Sequence, residues 1–506
     1  MILTQLFYKS IYVKNLQKLI IFSSFLQLFI INIVLATEQN TNKSTDKVEK
    51  AIVTIETRIA VSAYHDPGSL QGTGFITDKA NGLIVTNHHV IGGPSIGTYF
   101  VTFHNGRQIQ AKPLYYDLWQ DYAILQVDPA EFPSSVEQIL FSTDFAKPGQ
   151  DVYVVGSPEG EEFSYHTGRV STLYDIRGTM PQCSYVVNLN SAGGASGSPL
   201  LNERDEAIGV IYGGSKTYAL ALRGEYVQKA LNHLKKGEIP PRKHNGVLYE
   251  QYSLDKATKH RHFPQDEMNQ YIKEFPYARN KVVAVKSILA GSTAEKIIEP
   301  GDIIWEINGK PIGGNLALLD MSVDMAVDEV EFTIFRNGKK LKIKSKLYNV
   351  NDNKIHQMVN FAGATFFQAD DIVSAVYGVP LNSLSIKNVQ TGSSFSNIPL
   401  SFTQNYRNLY RLKVEAINDQ KISNIKELIE LIPNAIKQKF VSIRYKNYQP
   451  YYPNFGNDSG FISSQGDFIT DITFDTIDTK PSLLRFDHKT SDWLSEDIIN
   501  TSNLLK

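Results

Sequence analysis

Gly82-Leu83-Ile84-Val85-Thr86-Asn87-His88-His89-Val90 carries a histidine at the end of an apolar strand-like run. Asp117-Leu118-Trp119-Gln120-Asp121-Tyr122-Ala123-Ile124-Leu125 carries an aspartate just ahead of another. Gly193-Gly194-Ala195-Ser196-Gly197-Ser198-Pro199 sets a serine in a glycine-rich turn. Each has an ordinary reading when taken singly: a satisfied core histidine, an aspartate capping a turn, a serine in a plain loop. Together, inside one β-rich segment, they supply a nucleophile, a base and an orienting acid.

A serine hydroxyl is a weak nucleophile and needs a positioned base. Histidine titrates near neutrality, so it can accept that proton and return it to a leaving group. A carboxylate fixes the histidine tautomer and stabilises the imidazolium. Glycines beside the serine let backbone N–H groups turn toward a developing oxyanion. Within the pattern, His89 is preferred to His88, and Asp121 to Asp117 or Asp128. The order His, Asp, Ser is that of chymotrypsin-like β-barrels, whereas α/β-hydrolases run Ser, acid, His and subtilisins run Asp, His, Ser. Ser198 also stands where the nucleophile elbow Gly-x-Ser-x-Gly requires its second glycine.

The flanking sequence agrees with an all-β segment. Short runs at Val53–Val61, Gly82–Thr86, Tyr99–His104, Tyr122–Val127, Asp151–Val155 and Tyr185–Asn188 are punctuated by Gly, Pro, Asn or Asp, which predicts a barrel or sandwich over residues 51–236. A helix is expected over Glu225–Lys236, where Val227, Ala230, Leu231 and Leu234 share a stripe. Pro240-Pro241 and Arg242-Lys243-His244 mark a linker. Two similar smaller units follow, at 244–348 and 357–447. The first contains Pro300-Gly301-Asp302-Ile303-Ile304-Trp305-Glu306-Ile307-Asn308-Gly309, and the second contains Val414-Glu415-Ala416-Ile417-Asn418-Asp419 without the Gly-Asp pair. Residues 448–506 are an extension to which no fold is assigned.

The 506 residues are 42% hydrophobic and 20% charged, with a net charge of −1, so no basic excess points to nucleic acid. The single cysteine, Cys183, rules out an intramolecular disulfide and reads as core filler. No cofactor and no metal site are expected. Lys9, Lys14 and Lys18 precede the apolar run Leu19 to Ala36, which ends in small residues. That layout predicts a secretory signal over residues 1–36 and an exported protein, periplasmic if bacterial. Retention of residues 19–36 as a membrane anchor is the alternative. Residues 37–50 read as a polar linker.

The same segments resemble the HtrA (DegP-like) serine proteases. Thr86–Val90 and Asp121–Leu125 match that family's histidine and aspartate motifs, and Gly149–Pro158 resembles its strand before the activation loop. Gly194–Pro199 matches its serine motif with Ala195 in place of Asn and Ser198 in place of Gly. Ser-Gly-Ser-Pro, with Gly363-Ala364-Thr365-Phe366-Phe367, is most similar to the divergent branch known from fungi. The resemblance covers residues 51–447 and implies a mainly β chain: a chymotrypsin-like double β-barrel followed by two PDZ-like α+β domains. It further implies His89, Asp121 and Ser196 as catalytic residues, with Gly194 and Ser196 supplying the oxyanion-hole N–H groups. It implies trimers, ATP independence and hydrolysis of unfolded or misfolded proteins.

A PDZ site adds a peptide strand to a sheet edge and holds its carboxylate in a backbone nest. Asn245-Gly246-Val247-Leu248-Tyr249 is the candidate segment for binding chain ends; a plain hairpin start is the alternative. The second unit, lacking the Gly-Asp pair, is expected to serve packing or regulation. Two rival functions stay open: a protein-binding chaperone on a protease scaffold, kept alive by Ala195 and Ser198, and an esterase of the same fold.

Overall fold

The computed structural model describes residues 46–157, 163–176, 180–191, 193–387, 393–397, 412–438, 440–448, 467–473 and 480–501. The expected signal segment 1–36 and most of the linker 37–50 lie outside them. Among the described residues no helix is long and apolar enough to cross a membrane.

Twelve strands build two closed six-stranded barrels, as the mainly β reading expects. The first barrel joins β1 (Ile52–Val61), β2 (Gly68–Asp78), β3 (Leu83–Thr86), β4 (Ile96–Phe103), β5 (Gln108–Asp117) and β6 (Tyr122–Gln126) in the order β1-β2-β3-β6-β5-β4. The second joins β7 (Asp151–Gly156), β8 (Ser164–Asp175), β9 (Ser184–Asn188), β10 (Pro199–Leu201), β11 (Ala207–Gly214) and β12 (Ala219–Arg223) in the order β10-β11-β12-β9-β8-β7.

Side chains alternate across a strand, and β5 shows that alternation of exposed and buried positions over most of its length. β3 and β6 are apolar on both faces for a different reason. Ile84, Ala123 and Leu125 fill the first barrel. Leu83, Val85 and Ile124 point the other way, into a shared core with Val155, Leu201, Val210 and Leu222 of the second. The helix Gly224–Leu234 closes that core with Tyr226, Val227, Ala230 and Leu231, close to the expected span. Burying each large apolar side chain contributes roughly 1.5–3 kcal/mol, so this shared core holds the two barrels in a fixed relation. The loops after β3, before β6 and before β10 therefore meet at the junction.

The first smaller unit is a sheet in the order Val247–Ser253, Lys281–Ile288, Ile303–Ile307, Glu329–Arg336, Lys339–Lys346, with the helix Leu316–Met325 packed on it. The second is a sheet that runs Asp467–Thr473, Phe440–Asn447, Leu412–Ile417, Leu384–Lys387, Ala364–Gln368, Gln357–Phe361, Ser482–Asp487, Asp492–Asp497. Part of the extension left unassigned on the sequence thus belongs to that sheet. Met358 pairs with Leu484 and Val359 with Leu483, so the chain's own later strand occupies the edge of Gln357–Phe361.

The basic linker is not a solvated tether. Arg242 and His244 are each 2% exposed, because acidic and aromatic side chains of the flanking units receive them.

Candidate active site

Asp121 sits in the turn between β5 and β6 with a left-handed φ of 52°, a conformation that aspartate tolerates better than most residues. That turn aims its backbone and side chain at the end of β3. Its carbonyl accepts hydrogen bonds from Asn87 Nδ2 (2.9 Å) and His88 N (3.3 Å). Its carboxylate accepts from His89 N (3.0 Å) through Oδ1 and pairs with His89 Nδ1 (2.7 Å) through Oδ2. Nδ1 faces a carboxylate, so it carries the proton, and Nε2 is left as the acceptor nitrogen. Burial by itself would lower the His89 pKa, but the Asp121 charge and hydrogen bond outweigh it and raise it above the ordinary histidine value.

His88 and Asp117 do other work. His88 is buried, stacked on Tyr116 at 5.0 Å and edge-on to Tyr64, and burial pushes its pKa down to about 3, so it stays neutral. Asp117 is buried and holds the loop that carries Asp121. Its Oδ1 accepts from Trp119 N (2.8 Å) and Gln120 N (3.1 Å). Asp128 is spent on capping a short 3₁₀ turn through Ala130 N. Cys183 is buried among core residues of the first PDZ-like unit, and burial pushes its thiol up to about 12, away from thiolate chemistry.

Ser196 enters from the second barrel. The loop is drawn onto the first barrel by Thr73 N, which donates to Ser196 O (2.8 Å), and by Thr73 Oγ1, which donates to Gly194 O (2.8 Å). Gly197 has a φ of 90°, and a Cβ there would lie 1.9 Å from Thr73 O, so only glycine fits the turn. Among the described residues the N–H groups of Gly194 and Ser196 have no acceptor, which leaves two donors open beside the hydroxyl. Ser196 Oγ hydrogen-bonds Tyr212 O at 3.5 Å, and no hydrogen bond joins it to His89. Such contacts are commonly long without substrate and tighten when it binds. The departure at Ser198 has a local setting: its fully buried hydroxyl packs on Gly156, where a Cβ would lie 2.1 Å from it.

Sequence reasoning missed the side chains that fix this constellation from outside the barrels. Trp119, two residues before Asp121, donates Nε1 to Asp371 Oδ1 of the second smaller unit (2.9 Å) and stacks on His244 at 3.5 Å. Gln120 Nε2 donates to Asp320 of the first unit (3.1 Å). Arg242 lies among Asp117, Asp320 and Asp324 at 3.2, 3.0 and 3.6 Å. No local pattern marks these residues, since each is a single polar side chain whose partner is distant in the chain.

The PDZ candidate residues Asn245, Gly246, Val247, Leu248 and Tyr249 are all buried. Tyr249 N, on the outer edge of its sheet, donates to Gln182 Oε1 of the protease domain (2.6 Å). The segment is therefore closed to a peptide in this arrangement. Among the described residues no group of acids, histidines and cysteines is placed to hold a metal ion.

The trypsin-like peptidase domain profile matches residues 72–210, and the PDZ domain profile matches residues 264–331. An uncharacterized protein of Rickettsia prowazekii is 47% identical over 190 residues, which cover 37% of this chain and 97% of that protein. The pro-apoptotic serine protease NMA111 of the fungus Phaeosphaeria nodorum is 27% identical over 422 residues, covering 80% of this chain and 40% of that protein. The chain carries a trypsin-like peptidase domain followed by a PDZ domain and is similar to the HtrA-like serine proteases. The protease and PDZ profiles fall inside the barrel segment and the first smaller unit. The HtrA-like chain spans about 40% of the length of its fungal relatives. A solved structure, the HtrA-type protease AlgW with tripeptide, aligns with a TM-score of 0.45 at 19% identity over 60% of this chain and 96% of that one.

Proposed function

We propose that this protein is an exported endopeptidase that hydrolyses peptide bonds in unfolded or misfolded proteins. Ser196 Oγ attacks the carbonyl carbon while His89 Nε2 takes its proton. Asp121 holds the imidazole and stabilises its charged form, and the N–H groups of Gly194 and Ser196 receive the oxyanion. His89 then passes the proton to the leaving amine, and water, deprotonated by His89, releases the acyl group. The observation that carries this reading is the 2.7 Å contact of Asp121 with His89 Nδ1, facing a serine loop with two open N–H donors. By family resemblance the enzyme is a homotrimer that needs no ATP, and its PDZ units recruit chain ends or control its activity.

The test is degradation of casein by the purified protein beside Ser196→Ala. Cleavage by the first and none by the second is expected. No cleavage by either, with both folded and both suppressing aggregation of a client protein, would favour the chaperone reading. Hydrolysis of esters alone would favour the esterase.

A further inference from the structure

Beside His89 lies a cavity of about 370 Å³, and Ser196 is not among the residues that line it. The protease domain gives it Ala63, Tyr64, Leu118 and Met180 together with His89 and Asp121. A further wall comes from elsewhere in the chain: Ile372, Val373, Val376 and Tyr377, on the helix Asp371–Tyr377 of the second PDZ-like unit. Ile372 with Val376, and Val373 with Tyr377, are i, i+4 neighbours on the helix, so the helix presents an apolar face to the cavity.

That helix is pinned to the catalytic loops at its first turn. Asp370 caps it through Val373 N (3.0 Å) and accepts from Tyr64 OH (2.5 Å). Asp371 accepts from Trp119 Nε1 (2.9 Å), Tyr348 OH (2.5 Å) and Asn353 Nδ2 (3.2 Å). Asp370 and Asp371 are fully buried, so these bonds are made away from water, where leaving a partner unsatisfied is costly. The wall is thus fixed rather than loosely apposed. The remaining polar liners, His65 and His88, are both held neutral at physiological pH by burial. What faces a peptide is therefore largely apolar and uncharged apart from the catalytic pair. The volume lies within the roughly 300–1,000 Å³ of typical ligand sites, enough for one large side chain.

We propose that the helix Asp371–Tyr377 forms the wall of a substrate subsite beside His89, in which Ile372, Val376 and Tyr377 select a large apolar side chain flanking the bond to be cut. This rests on the protease reading above. It gives the second PDZ-like unit a role unrelated to capturing chain ends: it completes the cleft of the protease domain. An apolar side chain seated there displaces water from the imidazole face and positions the scissile carbonyl toward Ser196, so selectivity appears in kcat/KM.

The experiment uses the full chain and quenched peptides that carry Phe, Leu or Ala at each of the three positions on either side of the cleavage point. Val376→Trp fills the cavity and Ile372→Ala enlarges it. At one of those positions, the Phe-to-Ala ratio of kcat/KM is expected to fall about tenfold or more in Val376→Trp. It should rise, or shift toward bulkier side chains, in Ile372→Ala. A fluorophosphonate label on the protein, absent in Ser196→Ala, reports the nucleophile separately. Labelling with ratios unmoved in both variants overturns the subsite. A uniform rate increase with every peptide makes the helix a lid instead of a wall, and also overturns it. No labelling of the unaltered protein removes the protease reading, and the subsite with it.

Discussion

Arg242→Met should be among the most damaging single substitutions in this protein. The Arg242 guanidinium is 2% exposed, its Nη2 donates to both Asp320 oxygens (3.0 and 3.1 Å), and Asp117 and Asp324 lie at 3.2 and 3.6 Å. At an effective dielectric of ~20, each charge pair at such distances is worth roughly 5 kcal/mol before desolvation. Desolvation offsets much of that gain, but removing only the cation leaves three carboxylates buried with little compensation. Breaking a buried network in this way costs about 3–5 kcal/mol. Lys229, which contacts Asp324 at 2.5 Å, relieves only one of the three.

The loss should depend on pH with a defined sign. Burial raises the Asp117 carboxyl, while Arg242 and then Lys354 hold it down. A carboxyl whose folded pKa exceeds its unfolded value gains stability as pH falls through the folded value. Without Arg242 that value climbs further, so the deficit should shrink between pH 8 and pH 5. Urea unfolding followed by tryptophan fluorescence reads the effect, since Trp119 stacks beside the network. A deficit under about 1 kcal/mol at pH 8, or one that grows on acidification, would refute the reasoning. Asp117 also ties down the loop that carries Asp121, so kcat should fall along with stability.

Asp121→Asn should lower kcat by about 10⁴-fold, as loss of the orienting carboxylate does in related triads. The base must be neutral, so kcat/KM should drop as pH falls through a midpoint above the usual histidine value of about 6.5, and Asp121→Asn should move that midpoint down. Gly197→Ala places a Cβ 1.9 Å from Thr73 O at a φ of 90°, so a loss above roughly 2 kcal/mol is expected by thermal melting, together with loss of activity; an unchanged melt would show that the turn has another conformation. Gln182→Ala frees Tyr249 N–H, and binding of a free C-terminal peptide at Asn245–Tyr249 should then strengthen by calorimetry; unchanged binding would separate that segment from peptide capture.

Much of this protein was legible in its residues. β3 and β6 could be read because an apolar run buried on both faces is distinctive, and Gly224–Leu234 because its apolar residues recur at helical spacing. Histidine, aspartate and glycine-flanked serine are chemically unusual at strand ends and turns, so their local motifs and their order carried the fold class and the candidate triad. Tertiary structure decided what surrounds them. Ser482–Asp487 could not be assigned because its partner, Gln357–Phe361, is remote in sequence and β pairing leaves no mark on either strand alone. Arg242 looked like a linker cation because only the folded chain brings Asp117, Asp320 and Asp324 around it. The edge at Tyr249 looked open because its cap, Gln182, comes from another domain. Local patterning encodes periodicity and the chemistry of each residue. Which distant polar groups meet depends on how cores pack, and here that packing sets a helix of the last unit against the histidine of the first.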